Sequence, residues 1–419
     1  MNTLLVILAS TLTLVTPENG AKYDTHSPCV KEFLSNPEKR TKPRPPEPPM
    51  SEDEIKRRDE MNAKFDAWVK AGCPKEGKCK QYDRRWNFYQ RNDWTEDLYK
   101  RSVEETKTWK PFTWKADFPV PTVYVEYSET KDFAKSIVEK VTGGKDKKGK
   151  ELDALAFRPS YLKVGTPYFW RVKAKDADGK EIVSEVGTFT TVDVFPRMIG
   201  TPDRNWRDHG GGVNADGKRI RQGMIYRTNA PVNGDGEGGK ATPESSRALY
   251  VGKLGIKSQA DLRGEGEAEA AEERYGRLRL DKCGIKVRYF PVDPYHLEGM
   301  TKENYAAAIR FFADKDNYPI MYNCAAGCDR TGSIGVILDG ILNRTDEQIF
   351  DNYELPSFTR DAPRLRYCRK AVGMFGSFEP NDSDYGNKPT MRENIIGYLL
   401  KIGITQEEID SIRKIMIED

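Results

Sequence analysis

The chain has 419 residues, a length that suits about two to three domains, and its mean hydropathy of −0.73 with 32% charged residues argues against an integral membrane protein. Its 68 basic and 65 acidic residues nearly cancel, so the net charge of +3 gives no indication of a nucleic-acid partner. The sequence has three histidines, His26, His209 and His296, and they are widely separated, so we expect no metal and no cofactor.

The N-terminal segment MNTLLVILASTLTLV is an apolar run that suits the core of a signal peptide and is too short to span a bilayer. We assign residues 1–21 to a signal peptide and expect a secreted or periplasmic protein. No basic residue precedes the run, so a buried or irregular start is the alternative. Residues 22–110 are predicted to be a linker with short helices, in which the proline-rich, charged stretch 38–54 is extended.

Residues 111–193 change to short segments of alternating polarity. In TPYFWRVKAKDADGKEIVSEVGTFTTV, one strand is followed by the turn Asp176-Ala177-Asp178-Gly179 and by a closing strand. The stretch resembles a fibronectin type III or related immunoglobulin-like β-sandwich, and such modules bind, space or brace. We expect bracing, with a protein or carbohydrate partner for the sandwich as the alternative.

Strands and helices alternate in residues 194–419, which predicts an α/β domain with a central sheet flanked by helices. Predicted strands are 256–263, 286–293 and 318–323, and predicted helices are 301–312 and 332–342. Thr345 with Gln348 and Thr405 with Glu408 form capping boxes that predict the starts of two further helices.

The stretch PIMYNCAAGCDRTGSIG, residues 319–335, places a Cys-x5-Arg sequence between a strand and a helix. A backbone that curls between Cys324 and Arg330 can point its amides inward, and the following helix adds the positive end of its dipole. Gly327 allows a close approach to the ligand, and an arginine fork holds two phosphate oxygens at once. The predicted phosphate-binding loop comprises Ala325, Ala326, Gly327, Cys328 and Asp329.

This loop predicts nucleophilic chemistry as well as phosphate binding. The positive field favours the thiolate of Cys324, which can attack phosphorus and form a phosphocysteine intermediate. Thr331 can hydrogen-bond the sulfur. Asp293, at the end of a predicted strand, is the candidate general acid, and His296 and Glu298 are alternatives. A purely structural role for Asp293, as an Asx-turn residue before Pro294, is the other interpretation.

The loop resembles the signature of the cysteine-dependent protein-tyrosine and dual-specificity phosphatases. CAAGCDRTG is similar to the CxxGxDRTG form of a bacterial subgroup, often exported, that acts on phosphotyrosine proteins and in some members on phosphoinositides. NWRD at 205–208, DGKRIRQGMIYRTNAP and LGIKSQADLRGEGE follow the subgroup's order, so the resemblance covers 196–419. It implies metal-free hydrolysis of a phosphorylated protein or small phosphomonoester, with Cys324 as nucleophile, Arg330 as phosphate ligand and Asp293 as acid.

The chain also departs from the family's pattern. Asn323 stands where the family usually has a histidine, so we expect reduced activity, and a phosphate-binding module without turnover is an alternative. Cys328 replaces a lysine common in the subgroup, which weakens the case for a phosphoinositide substrate. An inositol-phosphate phosphatase, suggested by the expected export and the shared loop, is the alternative within enzymes. A reversible disulfide between Cys328 and Cys324 is a further alternative. Asp329 either positions water or forms a salt bridge with Arg263.

Two other motifs receive structural roles. Glu267 and Arg263, in DLRGEGE, are expected to brace the loop, and His209 is expected to be packed or at the surface. Cys73 and Cys79 are close enough to bridge in an oxidising compartment, although two free thiols explain them equally well.

Overall fold

The structure is a computed structural model that describes most of the chain. The described residues are 10–24, 28–40, 50–71, 93–105, 111–145, 148–159, 161–195, 197–198, 205–231, 248–275, 279–295, 297–298, 301–358, 365–366 and 371–419. Cys73, Cys79 and His296 therefore lie outside the described residues. None of the helices in the described part of the chain has the length and apolar character needed to cross a membrane.

Two β-sheets form the N-terminal part of the fold. The first sheet has the strand order β1 (Leu12–Thr16), β3 (Phe112–Ala116) and β6 (Ala156–Phe157). The second has the order β2 (Ala21–Tyr23), β9 (Gly187–Thr191), β7 (Pro167–Lys175), β4 (Thr122–Ser128) and β5 (Ser136–Thr142). A short strand, β8 (Glu181–Val183), pairs with β7 across the predicted turn.

The two sheets share one hydrophobic core. Alternate residues of β7 are buried, as the period of two predicts, and they include Tyr168 and Trp170. Phe112 and Trp114 of the other sheet belong to the same buried cluster, and the rings of Phe112 and Trp170 have centroids 4.8 Å apart. The two sheets therefore bury their apolar side chains against each other, while the fibronectin type III class stays a prediction.

The structure places residues of the predicted signal peptide in the N-terminal sheets. Leu12 lies on β1 with only 6% exposed and packs in the core of the sheets, and Tyr23 on β2 is also buried. Strand β1 pairs with β3 in antiparallel register, with Leu12 opposite Ala116. The alternating residues of LTLVT form a strand because one face finds an apolar partner. Residues 12–21, assigned above to a signal peptide, thus belong to the sheets, whereas export stays a prediction.

The described residues between β2 and β3 form four helices. They are α1 (Pro28–Leu34), α2 (Pro37–Arg40), α3 (Glu52–Lys70) and α4 (Asp93–Glu105). The predicted extended linker 38–54 is wrong at both described ends, because Arg40 ends one helix and Glu52 begins another. Phe33 of α1, Leu98 of α4 and Leu365 of the C-terminal domain share a small buried cluster. The insertion therefore packs on the C-terminal domain.

The C-terminal domain is built on a six-stranded sheet. Its strand order is β10 (Arg197–Met198), β11 (Arg207–Asp208), β12 (Ile225–Asn229), β15 (Ile320–Cys324), β13 (Ser258–Asp261) and β14 (Lys286–Tyr289). The last four strands in this order are parallel, and every residue of β12, β13 and β15 is buried. Parallel strands buried on both faces predict helices or other cover on each side, which is the α/β arrangement expected from the sequence.

Seven described helices accompany this sheet. They are α5 (Glu265–Tyr275), α6 (Lys302–Ala313), α7 (Asp329–Ile341), α8 (Asp346–Glu354), α9 (Ala371–Gly376), α10 (Met391–Lys401) and α11 (Gln406–Met416). Both predicted capping boxes, at Thr345 and Thr405, are confirmed. Helix α7 begins three residues before the predicted start at 332, so Asp329 and Arg330 lie in its first turn.

The N-terminal sheets contact the C-terminal domain through buried polar groups. The Tyr161 hydroxyl donates a hydrogen bond of 2.8 Å to Asp208 Oδ2, and the ring of Tyr161 packs edge-on against Tyr226. Gln222 Oε1 accepts a hydrogen bond of 2.7 Å from the Val164 amide, and Gln222 Nε2 donates one of 2.9 Å to the Val164 carbonyl. These contacts favour the bracing role over a freely tethered module.

Candidate active site

The candidate site lies at the carboxyl end of β15, where Cys324 ends the strand and α7 begins at Asp329. The residues between them turn the chain through the loop predicted from the sequence. The Cys328 thiol, at the N-cap position, donates to the Ala326 carbonyl at 3.2 Å instead of capping the helix. The first amides of α7 therefore remain available to an anion, as at other helix N-termini.

Gly327 is the position that the loop geometry restricts most. Its φ is +67°, and a Cβ built there would lie 2.6 Å from both the carbonyl oxygen of Thr228 and the amide nitrogen of Asn229. Both atoms belong to the end of the neighbouring strand β12. Glycine is therefore required for both the left-handed conformation and the close approach of the loop to the strand.

A cavity of about 510 Å³ opens above the loop. Its lining brings together Cys324, Ala325, Ala326, Asp329, Arg330 and Asp293, with Gly264, Glu267, Pro291, Val292, Pro294 and Thr301. Most of the site residues predicted from the sequence thus face one space. Gly327, Cys328 and Thr331 lie behind its surface. In the described part of the chain, no group of three or more His, Cys, Asp or Glu side chains is arranged to hold a metal ion.

Arg330 is oriented by a bidentate ion pair with Glu267. Its Nη1 and Nη2 atoms donate to the two carboxylate oxygens at 2.7 and 2.8 Å. This hydrogen bond lowers the pKa of Glu267 below its usual value, so the brace is ionised at neutral pH. A guanidinium group has five N–H donors, and the pair with Glu267 uses two of them. The remaining three are available to phosphate oxygens.

Asp293 reaches the cavity from the loop after β14. The Tyr305 hydroxyl of α6 donates to the Asp293 carbonyl oxygen at 2.8 Å, which ties this loop to a buried helix. The alternative Glu298 does not line the cavity and instead forms an exposed ion pair with Lys401 at 2.7 Å. Of the two described acids proposed for proton transfer, Asp293 and Glu298, Asp293 is the one that lines the cavity with the nucleophile.

Asp329 does not pair with Arg263. It accepts a hydrogen bond of 2.6 Å from the Tyr295 hydroxyl and lines the cavity. Arg263 is instead held by its near neighbour Asp261, through the backbone amide and two guanidinium nitrogens at 2.6 to 3.1 Å. Asp261 is two residues before Arg263 at the end of β13, so its carboxylate is the one within reach of the guanidinium. The predicted salt bridge between Asp329 and Arg263 is therefore wrong.

The predicted contact of Thr331 with the nucleophile is also absent. Thr331 is fully buried, and its Oγ1 has no hydrogen-bond partner among the described residues. Cys324 and Cys328 are both free thiols, so the alternative of a disulfide is not realised in this structure. The Cys328 sulfur accepts from Asn205 Nδ2 at 3.6 Å, on the side of the loop away from the cavity.

Asn323, in place of the family's histidine, is held by a buried amide. Gln259 Nε2 on β13 donates to Asn323 Oδ1 at 2.6 Å, and Asn323 Nδ2 lies 3.4 Å from the carbonyl oxygen of Cys324. The side chain therefore orients the backbone at the nucleophile without adding a charge. His209 is fully buried, 3.2 Å from the Tyr322 hydroxyl, which agrees with a packed role.

A buried polar cluster supports the loop from behind. Asn205 Nδ2 donates to the Gly327 carbonyl at 2.5 Å, and Arg227 Nη2 lies 3.5 Å from the same oxygen. Arg207 donates to Asn205 at 2.6 Å and to the Asn352 carbonyl at 3.1 Å. These donors fix the Gly327 carbonyl, and therefore the backbone of the loop, from residues that do not line the cavity.

The same cluster adds positive charge beneath the loop. Arg207 and Arg227 are both fully buried, and burial, followed by the nearby charge of Arg227, holds the pKa of Arg207 well below its usual range. Sequence reasoning included Asn205, Arg207 and Arg227 only within segments quoted as points of resemblance and gave none of them a role. A charged residue inside the buried strand IYRTN was the available signal for Arg227, and Asn352 was missed.

Fold and site together define an α/β domain in which a cysteine, an arginine and an aspartate line one cavity at the carboxyl end of a parallel strand. Residues 202–418 match the model of the tyrosine phosphatase family. That stretch is more than half of the chain, and the chain therefore belongs to the tyrosine phosphatase family, whose members are phosphoric monoester hydrolases.

Individual relatives are more distant. A curated protein of Cupriavidus necator, whose name describes it provisionally as a tyrosine-protein phosphatase, is 27% identical over 178 residues, or 38% of this chain. The chain spans 62% of the length of that relative. The core catalytic domain of the PP-IP phosphatase Siw14 from S. cerevisiae, solved with citrate, is 19% identical with a TM-score of 0.26 and covers 37% of this chain and 83% of that domain. A second structure of the Siw14 catalytic core gives the same identity and TM-score, over 36% and 78%.

Proposed function

We propose that the protein hydrolyses phosphate monoesters, with phosphotyrosine as the substrate, through a phosphocysteine intermediate at Cys324. The observation that carries this proposal is that Cys324, Arg330 and Asp293 all line one cavity at the N-terminus of α7. Membership of the tyrosine phosphatase family supports it. Within that family we propose the bacterial CxxGxDRTG subgroup, because the loop reads CAAGCDRTG.

The proposed reaction has two steps that use the same residues. In the first, the Cys324 thiolate attacks phosphorus, the bond from phosphorus to the ester oxygen breaks, and Asp293 donates its proton to that oxygen. In the second, the Asp293 carboxylate accepts a proton from water, the water oxygen bonds to phosphorus, and the phosphorus–sulfur bond breaks. Inorganic phosphate leaves and the thiolate is restored. Arg330 and the loop amides neutralise the equatorial oxygens in both steps.

The charge of the cavity favours a substrate with one phosphate. Among the described residues that line it, Arg330 is the cation, whereas Glu267, Asp293 and Asp329 are acids. The adjoining helix α5 starts at Glu265 and has the sequence EGEAEAAEERY, whose glutamates add further negative charge. Inositol polyphosphates and phosphoinositides would need additional cations at this rim. These observations support phosphotyrosine over the inositol-phosphate alternative.

The shape of the cavity is consistent with an aryl ester. Pro291, Val292 and Pro294 form an apolar wall beside the loop. A phenyl ring placed against this wall would direct its phosphate towards Cys324. The same wall includes the segment that bears Asp293, so the acid would lie near the oxygen that bridges ring and phosphorus.

A binding module without turnover is the second candidate. The observation in its favour is Asn323, which holds the backbone at the nucleophile but contributes no charge to stabilise the thiolate. We propose that Arg330 and the helix N-terminus supply enough positive field for reduced turnover.

We also propose that the N-terminal sheets are a fibronectin type III-like brace. We further propose that the protein is exported to the periplasm or the exterior.

The test compares the purified chain with Cys324→Ser on a phosphotyrosine peptide, a phosphoserine peptide and inositol hexakisphosphate, with reductant and without added metal. We expect phosphate release from the phosphotyrosine peptide that the substitution abolishes. Faster release from inositol hexakisphosphate would overturn the substrate assignment. Phosphate binding without release from any substrate would establish the binding module instead.

A further inference from the structure

A buried arginine from the N-terminal insertion contacts the C-terminal domain. Arg40, the last residue of α2, is fully buried, and its guanidinium donates to three carboxylates of α8. The distances are 2.7 Å to Glu347 Oε1, 2.6 Å to Asp351 Oδ1 and 2.9 Å to Glu354 Oε2. These residues are more than 300 positions apart in sequence, so this contact requires the insertion to be docked on the domain.

The carboxylates depend on Arg40 for their neutralisation. Glu354 has no exposed side-chain surface and Asp351 only 14%, and the one other cation in contact with the described cluster is Arg366, which donates to Glu354 and Glu347. Burial raises the pKa of Asp351 to about 6, although Arg40 opposes this effect. Without Arg40, the buried carboxylates of Asp351 and Glu354 would share one guanidinium with the more exposed Glu347, and α8 would have to shift or take up protons.

Helix α8 also supports the phosphate loop. Asn352 donates to Asp339 at 2.7 Å and accepts from Arg227 through its side chain and from Arg207 through its carbonyl, and these two arginines belong to the cluster behind Gly327. The next residue, Tyr353, places its hydroxyl 3.4 Å from that of Tyr295, the residue that donates to Asp329. Arg40 and the side chains that hold the loop thus contact the same nine-residue helix.

The insertion presents Arg40 from a packed unit. The Arg40 guanidinium lies 4.6 Å from the ring centroid of Phe33, and Phe33 stacks on Trp94 of α4 at 6.2 Å. Leu98 completes the cluster from the same helix. The arginine is therefore held in place by apolar contacts within the insertion, and its charge is directed at the other domain.

We propose that the insertion between β2 and β3 is an intramolecular positioning element for the active site, and that Arg40 is a positioning residue that acts through α8 on the Gly327 carbonyl and on Asp329. The proposal rests on the proposed function for its kinetic test. A full-length chain with the insertion docked is the competent enzyme, and loss of the Arg40 contacts loosens the phosphate loop.

The test uses the full chain with Arg40→Met and, as matched control, Arg101→Ala. Arg101 lies on α4 of the same insertion and forms exposed ion pairs with Glu32 and Asp97. We measure kcat and KM for p-nitrophenyl phosphate, the dissociation constant for inorganic phosphate and the thermal midpoint, with all kinetics well below that midpoint. Arg40→Met should lower kcat/KM by about tenfold to a hundredfold and weaken phosphate binding, because loop displacements of a fraction of an ångström reduce rates strongly. Arg101→Ala should stay within about twofold of the parent.

A double-mutant cycle with Asn352→Ala separates this mechanism from general destabilisation. If Arg40 acts through α8, Arg40→Met should add little to the loss caused by Asn352→Ala. Losses that multiply, or a folded Arg40→Met protein with unchanged kinetics and phosphate binding, would overturn the proposal. Should Arg40→Met not fold, Phe33→Ala is judged by the same criteria, because it loosens the support of Arg40 and leaves every charge in place.

Failure of the proposed function is distinguishable from failure of this inference. If the parent chain has no turnover, the inference is judged on inorganic phosphate affinity alone. Weaker binding by Arg40→Met then supports a positioning role, and equal binding contradicts it.

Discussion

A methyl group added at Gly327, by substitution with alanine, should disrupt the phosphate loop more than a methyl group added at any other position of the loop. The residue has φ +67°, and the new Cβ would lie 2.6 Å from Thr228 O and from Asn229 N, both backbone atoms that cannot rotate away. The left-handed conformation costs an alanine about 1–2 kcal/mol, and relief of the overlap by backbone movement adds about 1–3 kcal/mol. We therefore expect Gly327→Ala to lower the free energy of unfolding by about 2–5 kcal/mol.

The activity of Gly327→Ala should fall further than its stability suggests. Relief of the overlap moves the loop away from β12, and with it the amides that hold the phosphate, so we expect kcat/KM to fall by about a hundredfold. Urea unfolding and p-nitrophenyl phosphate kinetics measure the two effects. Gly266→Ala in α5 is the control, because a Cβ there meets nothing within 4 Å and alanine favours a helix. Equal kinetics for the two variants would refute the required close approach.

Three further predictions concern single charges. Glu267→Gln should lower kcat/KM by about tenfold, because one amide oxygen cannot hold both guanidinium nitrogens of Arg330; steady-state kinetics with no change would show that the brace is dispensable. Asp293→Asn should lower kcat/KM, which reports the first step, by about a hundredfold for an alkyl phosphate and much less for p-nitrophenyl phosphate, whose leaving group needs no proton; equal losses of kcat/KM would remove Asp293 as the acid. The third concerns Glu126 on β4: burial alone would raise its pKa, but hydrogen bonds from two basic side chains and a serine lower it to about 2, from an unperturbed 4.5. Because the pKa of Glu126 is lower in the folded state, its stabilising effect is present above pH 4.5 and is lost as the pH falls towards 2. In urea unfolding, Glu126→Gln should therefore lower the free energy of unfolding by up to about 3 kcal/mol at neutral pH and by little at pH 2. A constant difference across this range would contradict the assignment.

The loop and its flanking elements were predictable because their determinants are local. A buried strand, a glycine in the turn and a helix start occur within 17 residues, and the two capping boxes are likewise contained in four residues each. Residues brought from afar were not predictable. Asn205, Arg227 and Asn352 meet behind Gly327 only because β11, β12 and α8 surround β15 in the folded domain.

Errors at the N-terminus have the same origin. LTLVT was read as part of a signal core, since an apolar run fits that description and an edge strand equally well; only its pairing with β3, about 100 residues later in the chain, distinguishes the two. The stretch 38–54 is predicted to be an extended linker, because the sequence does not show that Arg40 meets three carboxylates of α8.

The central claim is that Cys324 becomes covalently phosphorylated during turnover. The most direct measurement is an acid quench of the parent chain, Cys324→Ser and Asp293→Asn during hydrolysis of a radiolabelled phosphotyrosine peptide, followed by mapping of the label by peptide digestion. The account predicts label on the peptide that contains Cys324 in the parent chain and none in Cys324→Ser. Turnover by the parent chain with label on another residue, or undiminished turnover by Cys324→Ser, would contradict it.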